Sequence, residues 1–200
     1  MKKEELIKKI PGIILSGGES RRMGTPKALL KYGGSNFVAA IADKLAGAGV
    51  EDISIVLGGN TEKILPNLKK KNLKTIINAD WRGGQITSLR AALRKTDGEA
   101  LAVIVSLIDH PGVEVSTIRS LLEEFLAGGH DIIIPEYNGR GGHPAVFGRS
   151  VFAALLDTSL KDGARGVIRS GSFRVKKLRV NDPFIRQDID TPEDYRRFGS

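Results

Sequence analysis

Between positions 15 and 27 the chain reads Leu15-Ser16-Gly17-Gly18-Glu19-Ser20-Arg21-Arg22-Met23-Gly24-Thr25-Pro26-Lys27. Glycines let backbone N–H groups approach an anion closely, and the cations Arg22 and Lys27 follow in the same run. Such a cup suits a triphosphate, where cations neutralise the charge that develops during phosphoryl or nucleotidyl transfer. The run has neither the Gly-Lys-Ser/Thr of a Walker A loop nor the spacing of the G-x-G-x-x-G dinucleotide fingerprint. Asp109 ends a long apolar run, where a carboxylate is costly unless paired or used. It is a candidate ligand for magnesium, which takes oxygen donors and keeps several waters. Asp188 and Asp190 alternate, so an extended backbone puts both on one face. The candidate second ligand is Asp190 or Asp188, and helix capping is the rival role of Asp190. His143, between Gly142 and Pro144, either packs a turn or meets a ligand, whereas His130 reads as structural. His110 sits beside Asp109, and the three histidines have no zinc-site spacing.

Elements that would position these residues follow from periodicity. Apolar β-branched runs at 10–15, 53–57, 73–77, 100–108 and 131–135 read as strands buried on both faces. Between them, 37–48, 62–70, 86–95 and 115–126 carry apolar residues at helical spacing. This alternation predicts an α/β fold: a mostly parallel sheet with helices on both sides. Ligands of such sheets bind beyond the carboxyl ends of the strands. Those ends carry Gly17-Gly18, Asn78 and Asp109. In the last quarter, 144–147 and 173–180 read as strands. Residues 191–198 read as a closing helix, with Thr191 as cap, Pro192 in the first turn and Glu193-Asp194 at its positive end.

Composition narrows the class. The 200 residues contain no cysteine, which excludes disulfides, thiolate metal sites and a cysteine nucleophile. No linker or repeat divides the chain, so residues 1–200 read as one domain. No apolar run approaches the roughly 20 residues of a membrane span, and 13–15 is too short for a signal segment. The expectation is a cytoplasmic protein without a membrane partner. The net charge of +8 suits nucleic acid, an anionic surface or a polyphosphate substrate. Aromatic residues are 6% and do not interleave with basic ones, which argues against nucleic acid. The one basic block, Lys69-Lys70-Lys71, reads as a solvated helix end.

The glycine loop resembles the signature of the MobA-like nucleotidyltransferases, and among them the molybdenum cofactor cytidylyltransferases. The matching residues are Gly17-Gly18-Glu19-Ser20-Arg21-Arg22-Met23-Gly24-Thr25-Pro26-Lys27-Ala28-Leu29-Leu30. The resemblance continues in order through Asn78-x-x-Trp81-x-x-Gly84 with Thr87-Ser88-Leu89, then Asp109-His110-Pro111 and Gly142-His143-Pro144. Asp162-Gly163-Ala164-Arg165 and Asp188-Ile189-Asp190-Thr191-Pro192-Glu193-Asp194 complete it.

This resemblance implies a three-layer, Rossmann-like nucleotidyltransferase that uses Mg2+ at Asp109 and Asp190. It implies nucleotide binding by Leu15, Ser16, Gly17, Gly18, Arg22, Lys27, Asn78, Gly84, Ser88 and Asp109. Lys27, Arg22 and Asp109 form the implied catalytic set, and Gly142, His143, Pro144 and Arg165 the acceptor side. The implied reaction passes CMP from CTP to molybdopterin cofactor and releases pyrophosphate; a client molybdoenzyme would receive the product. Ser16-Gly17-Gly18 is nearer the guanylyltransferase branch, whereas Pro26-Lys27, Trp81 and Gly163-Ala164-Arg165 are nearer the cytidylyltransferases. GTP is therefore the rival donor. A sugar- or polyol-phosphate acceptor on the same fold, and a nucleotide-binding maturation factor without turnover, are the remaining alternatives.

Overall fold

Strand β1, Gly12–Ser16, is buried along its whole length, as an unbroken apolar run requires. The computed structural model describes residues 3–68, 73–159 and 162–198. In it, β1 pairs in parallel with β4 (Ile53–Leu57) on one side and with β6 (Ala102–Leu107) on the other. Strand β5 (Leu73–Ile77) adds in parallel to β4 and forms one edge. Beyond β6 comes β9 (Ala145–Gly148), antiparallel both to β6 and to β7 (Ile132–Tyr137). Strand β10 (Val175–Arg179), parallel to β7, forms the other edge, and the short β8 (Arg140–Gly141) extends β7 as a hairpin. A separate ribbon pairs β2 (Lys31–Tyr32) with β3 (Ser35–Asn36).

Alternation along β1 divides the core into two layers. Ile14 faces α1 (Lys3–Ile7), α2 (Phe37–Gly47) and α5 (Val115–Ala127), packing with Ile7, Ile41, Leu45 and Leu121. Ile13 and Leu15 face the other way, toward Leu89 and Leu93 of α4 (Gln85–Leu93), Leu155 of α6 (Phe152–Leu156) and Val167 of α7 (Gly163–Arg169). The expected mostly parallel, Rossmann-like sheet with helices on both faces is what the chain forms.

Two local departures have physical reasons. The helix expected over 62–70 is only α3, Thr61–Ile64, followed by a tight turn at Leu65–Asn67. Pro66 has no amide to donate, so the α-helical ladder cannot continue through it. The end of that expected helix, and the Lys69-Lys70-Lys71 block, lie outside the described residues. The strand expected at 144–147 is β9, and its antiparallel direction was not legible in its residues. Because β9 runs backwards, Ala145 pairs with Val105, so its amino end lies at the carboxyl edge of β6. That reversal carries Gly142-His143-Pro144 to the edge where Asp109 emerges.

The segment after β10 is held by a buried carboxylate. Asp182 is 1% exposed. Its Oδ2 accepts from the Glu114 amide and the Thr117 hydroxyl, each at 2.9 Å, and its Oδ1 from the Phe184 amide at 2.9 Å. It caps α5 from outside, where the Glu114 side chain makes no cap bond. Asp182→Ala should lower unfolding stability in urea by about 3 kcal/mol, because buried donors lose a charged acceptor. Asp182→Asn, which still offers one oxygen, should cost about half as much. A loss below about 1 kcal/mol in the alanine variant would show that these bonds are dispensable.

Candidate active site

A cleft of about 530 Å3 opens at the carboxyl edge of the sheet. Of the residues singled out from the sequence, Leu15, Ser16, Gly17, Gly18, Arg22, Lys27, Gly84, Ser88, Asp109 and Asp190 line it. A wider hollow of about 980 Å3 lies at the opposite edge, beside Val50, Ile53 and Leu73, where strands β4 and β5 begin. Parallel sheets place their chemistry at the carboxyl ends, and the glycine loop and Asp109 are in the smaller cleft.

Loop packing explains the glycines. After β4, the Gly59 amide donates to the Gly17 carbonyl at 3.1 Å, and the Asn60 amide nitrogen donates to the Glu19 carbonyl at 2.7 Å. A Cβ on Gly58 would meet the Gly17 carbonyl oxygen and Trp81 Cβ, both at 2.5 Å. A Cβ on Gly17 would lie 2.5 Å from Ser88 Oγ. Trp81 lies over Gly58-Gly59, and the Arg82 guanidinium sits 4.4 Å from its ring centroid. Ser20 adopts φ 54°, and its hydroxyl accepts from the Lys27 amide at 3.2 Å, which fixes the far end of the loop.

Asn78 is fully engaged by protein. Its side-chain nitrogen donates to Thr87 Oγ1 at 2.9 Å and Ser88 Oγ at 3.0 Å, and its oxygen accepts from the Asp80 amide at 3.0 Å. It positions the start of α4, and through Ser88 the cleft wall.

The charged groups converge on Lys27, whose side chain is 9% exposed. Its ammonium donates to Asp190 Oδ1 and lies 3.4 Å from Asp109 Oδ2. Arg22 donates to the other oxygen of Asp190 at 2.7 Å. The two aspartates proposed as metal ligands thus reach one cation, and Asp190 is an ion-pair partner here, not a cap. The helix α8 (Pro192–Phe198) is capped by Thr191: its hydroxyl accepts from the Asp194 amide at 3.2 Å, and Asp194 accepts from the Thr191 amide at 2.8 Å. Arg21 is largely exposed and pairs with Glu19.

A second group abuts the first. His110 is buried; its Nδ1 lies 3.2 Å from the Phe184 carbonyl and its Nε2 lies 2.6 Å from Asp188 Oδ1. The same Nε2 is 3.7 Å from Asp109 Oδ1, a buried oxygen without a hydrogen-bond partner. Burial opposes a charge on His110, but its bond to Asp188 and the charges of Asp109 and Asp188 outweigh it and raise its pKa. The same bond holds the Asp188 carboxyl below the ordinary carboxylate range. Atoms of Asp109, His110 and Asp188 all lie within 4.8 Å of one another. Sequence reasoning left His110 without a role, because a lone histidine beside an aspartate carries no spacing signal.

The residues expected on the acceptor side lie next to this second group, outside the cleft lining. His143 and His110 have ring centroids 5.6 Å apart. Burial first, then the charge of His110, pushes His143 down to a pKa of about 4. It is neutral at physiological pH, so it can orient a phosphate by hydrogen bonding but brings no positive charge. Arg165, exposed on α7, adds its charge toward the same ring. Pro144 is buried. Gly142 is required for packing, since a Cβ there would fall 2.1 Å from the Ile185 carbonyl oxygen.

Chemically, the cleft offers four cations, Arg21, Arg22, Lys27 and Arg82, and three carboxylates, Glu19, Asp109 and Asp190. A bare triphosphate would be repelled by the two aspartates, and a divalent cation removes that repulsion. Gly17→Ala should weaken nucleoside triphosphate binding about tenfold or more, since overpacking costs about 1–3 kcal/mol. Adding Ser88→Ala clears the colliding oxygen and should restore most of the affinity by calorimetric titration. Equal loss in both variants would show that the Gly17–Ser88 contact does not set the loop.

Residues 12–177 match the MobA-like NTP transferase domain. A Paenarthrobacter nicotinovorans protein named nicotine blue oxidoreductase is 30% identical over 202 residues, covering 94% of this chain and 95% of its own. A Bacillus velezensis protein named probable molybdenum cofactor guanylyltransferase is 31% identical over 192 residues, covering 92% of each. The crystal structure of Rv0371c from Mycobacterium tuberculosis H37Rv superposes with a TM-score of 0.81 at 29% identity, over 95% of this chain and 96% of that one. Its complex with manganese gives 0.79 at 28% identity, over 95% and 97%. With its glycine loop and charged cleft at the carboxyl edge of the sheet, the chain belongs to the MobA-like NTP transferase family and is a nucleotidyltransferase.

Proposed function

We propose that residues 1–200 act as one nucleotidyltransferase domain that transfers CMP from CTP to molybdopterin cofactor with release of pyrophosphate, using Mg2+. The observation that carries this reading is the meeting of Lys27, Arg22, Asp109 and Asp190 beside the glycine loop. Related proteins named for molybdenum cofactor chemistry support the acceptor. The oxidoreductase activity in one relative's name stays with that relative, because the cleft's cations and carboxylates suit phosphoryl chemistry.

In the reaction, an oxygen of the acceptor phosphate forms a bond to the α-phosphorus. The bond from that phosphorus to the β-phosphate oxygen breaks, and pyrophosphate leaves with the electron pair. Gly17, Gly18 and the loop amides cradle the phosphates, with Leu15, Ser16, Gly84 and Ser88 lining the nucleoside side. Lys27 and Arg22 release Asp190 when the triphosphate arrives and neutralise charge on the departing pyrophosphate. Bound between Asp109 and a carboxylate of the C-terminal segment, Mg2+ would offset repulsion between acceptor and donor phosphates. The unpartnered Asp109 Oδ1 and the oxygen-rich surroundings fit such an ion. Gly142, His143, Pro144 and Arg165 orient the acceptor, and a client molybdoenzyme receives the product.

Trp81 lies across Gly58-Gly59 and lines the cleft, and with Pro26-Lys27 and Gly163-Ala164-Arg165 it supports the reading of CTP as donor. Gly17 favours the second reading, GMP transfer from GTP, since a glycine stands there in the guanylyltransferase pattern. Pyrophosphate release with molybdopterin and competing CTP and GTP separates the two. CTP should be preferred; a tenfold preference for GTP moves the reading to GMP transfer. Lys27→Ala should reduce kcat/KM at least a hundredfold, because a transition-state charge contact is worth about 3 kcal/mol. An unchanged rate in the folded variant would remove Lys27 from the chemistry.

A further inference from the structure

We infer that Asp109, His110 and Asp188 form a mixed oxygen–nitrogen site that binds one divalent cation of the manganese class in preference to magnesium. The inference deepens the metal-dependent reading above and rests on it, but it assigns the ion to His110 and Asp188 rather than to Asp190.

The three carboxylates differ in what already engages them. Both oxygens of Asp190 are engaged, one by Lys27 and the other by Arg22. Among the described residues, Asp188 forms no ion pair with either cation and turns to His110 Nε2 at 2.6 Å. Asp109 lies between the two groups. Its Oδ2 faces Lys27 at 3.4 Å, while its Oδ1 is buried, unpartnered and 3.7 Å from His110 Nε2.

His110 has the setting of a metal-ligating imidazole. Its side chain is 3% exposed, so its ring has one fixed orientation. The Phe184 carbonyl, 3.2 Å from Nδ1, can only accept, so Nδ1 carries a proton and Nε2 is the atom turned to the two carboxylates. Neighbouring donors around an octahedral ion with bonds of about 2.1 Å lie about 3 Å apart. The separations of 2.6 and 3.7 Å from Nε2 to the two carboxylate oxygens bracket that spacing. His110 Nε2 and the two carboxylate oxygens already converge on one point, and a cation bound there displaces any proton on Nε2. Mg2+ prefers all-oxygen surroundings, whereas an imidazole nitrogen shifts preference toward Mn2+ and later first-row ions.

The test uses the full chain with Mn2+ or Mg2+ alone, without nucleotide. Calorimetry should give one Mn2+ per chain, bound at least tenfold more tightly than Mg2+. Electron spin-echo modulation of bound Mn2+ should show one directly coordinated imidazole nitrogen, and His110→Gln should abolish it and bring the two ions within about threefold of each other. Asp188→Asn alters a largely exposed side chain, so folding survives, and it should weaken Mn2+ at least tenfold. Asp190→Asn should change Mn2+ affinity less than threefold. Absence of nitrogen modulation, or loss of Mn2+ with Asp190→Asn but not with Asp188→Asn, would overturn the assignment. Turnover with CTP or GTP but no nitrogen signal would sink this proposal and leave the transfer reading intact. A nitrogen signal without turnover on any triphosphate would do the reverse.

Discussion

The carboxyl edge of the sheet depends on one buried charge, that of Asp182. Ordering a chain segment costs about 1–2 kcal/mol per residue in backbone entropy alone, so a loop running along the sheet edge needs fixed anchors. Asp182 supplies the first, joining the end of β10 to the start of α5. Downstream, the Ile185 carbonyl accepts from the His143 amide at 2.8 Å, and the Ile189 amide donates to the Asp109 carbonyl at 3.0 Å. Ile185 and Ile189 are 0% and 2% exposed and pin the same strip by burial. With these anchors in place, Asp188 and Asp190 project on either side of Ile189 into two adjoining charge groups.

Those groups divide the work of holding charge. Lys27, Arg22 and Asp190 form an ion-pair set against the glycine loop, and His110 and Asp188 form another behind it. Asp109 touches both. A carboxylate at the end of β6 is tolerated because a cation lies on one side and a histidine on the other. Lys27 and His110 are the buried members, with side chains 9% and 3% exposed, so their charge is the costliest to leave without a partner.

Shape in the cleft is set by missing atoms. Gly17 leaves room for Ser88, and Gly58 leaves room for Trp81 and the Gly17 carbonyl. The loops after β1 and β4 therefore close against each other through backbone contact. The antiparallel β9 brings Gly142-His143-Pro144 to the same edge by reversing direction next to β6.

Much of this was legible in the residues. Unbroken apolar runs marked the parallel strands, because a strand covered on both faces has no polar position to spare. The glycine loop, Asp109 and the closing Asp188–Asp194 stretch stood out by residue type, and the fold brings Asp109 and Asp190 into one cleft with that loop. Thr191 as the cap of the last helix was also readable, because capping is local. Pairings between distant residues were not. Asp190 reaches Lys27 across 163 positions, and Asp188 reaches His110 across 78, so no local periodicity records either contact. The bonds from Asn78 to Thr87 and Ser88 at the start of α4 likewise join residues that no local periodicity links. The sequence by itself determined which groups carry charge and which strands bury apolar surface, since both follow from side-chain chemistry and short-range pattern. Only the tertiary structure decided which carboxylate meets which cation, because that depends on how Asp182 and two buried isoleucines lay the C-terminal segment across the edge of the sheet.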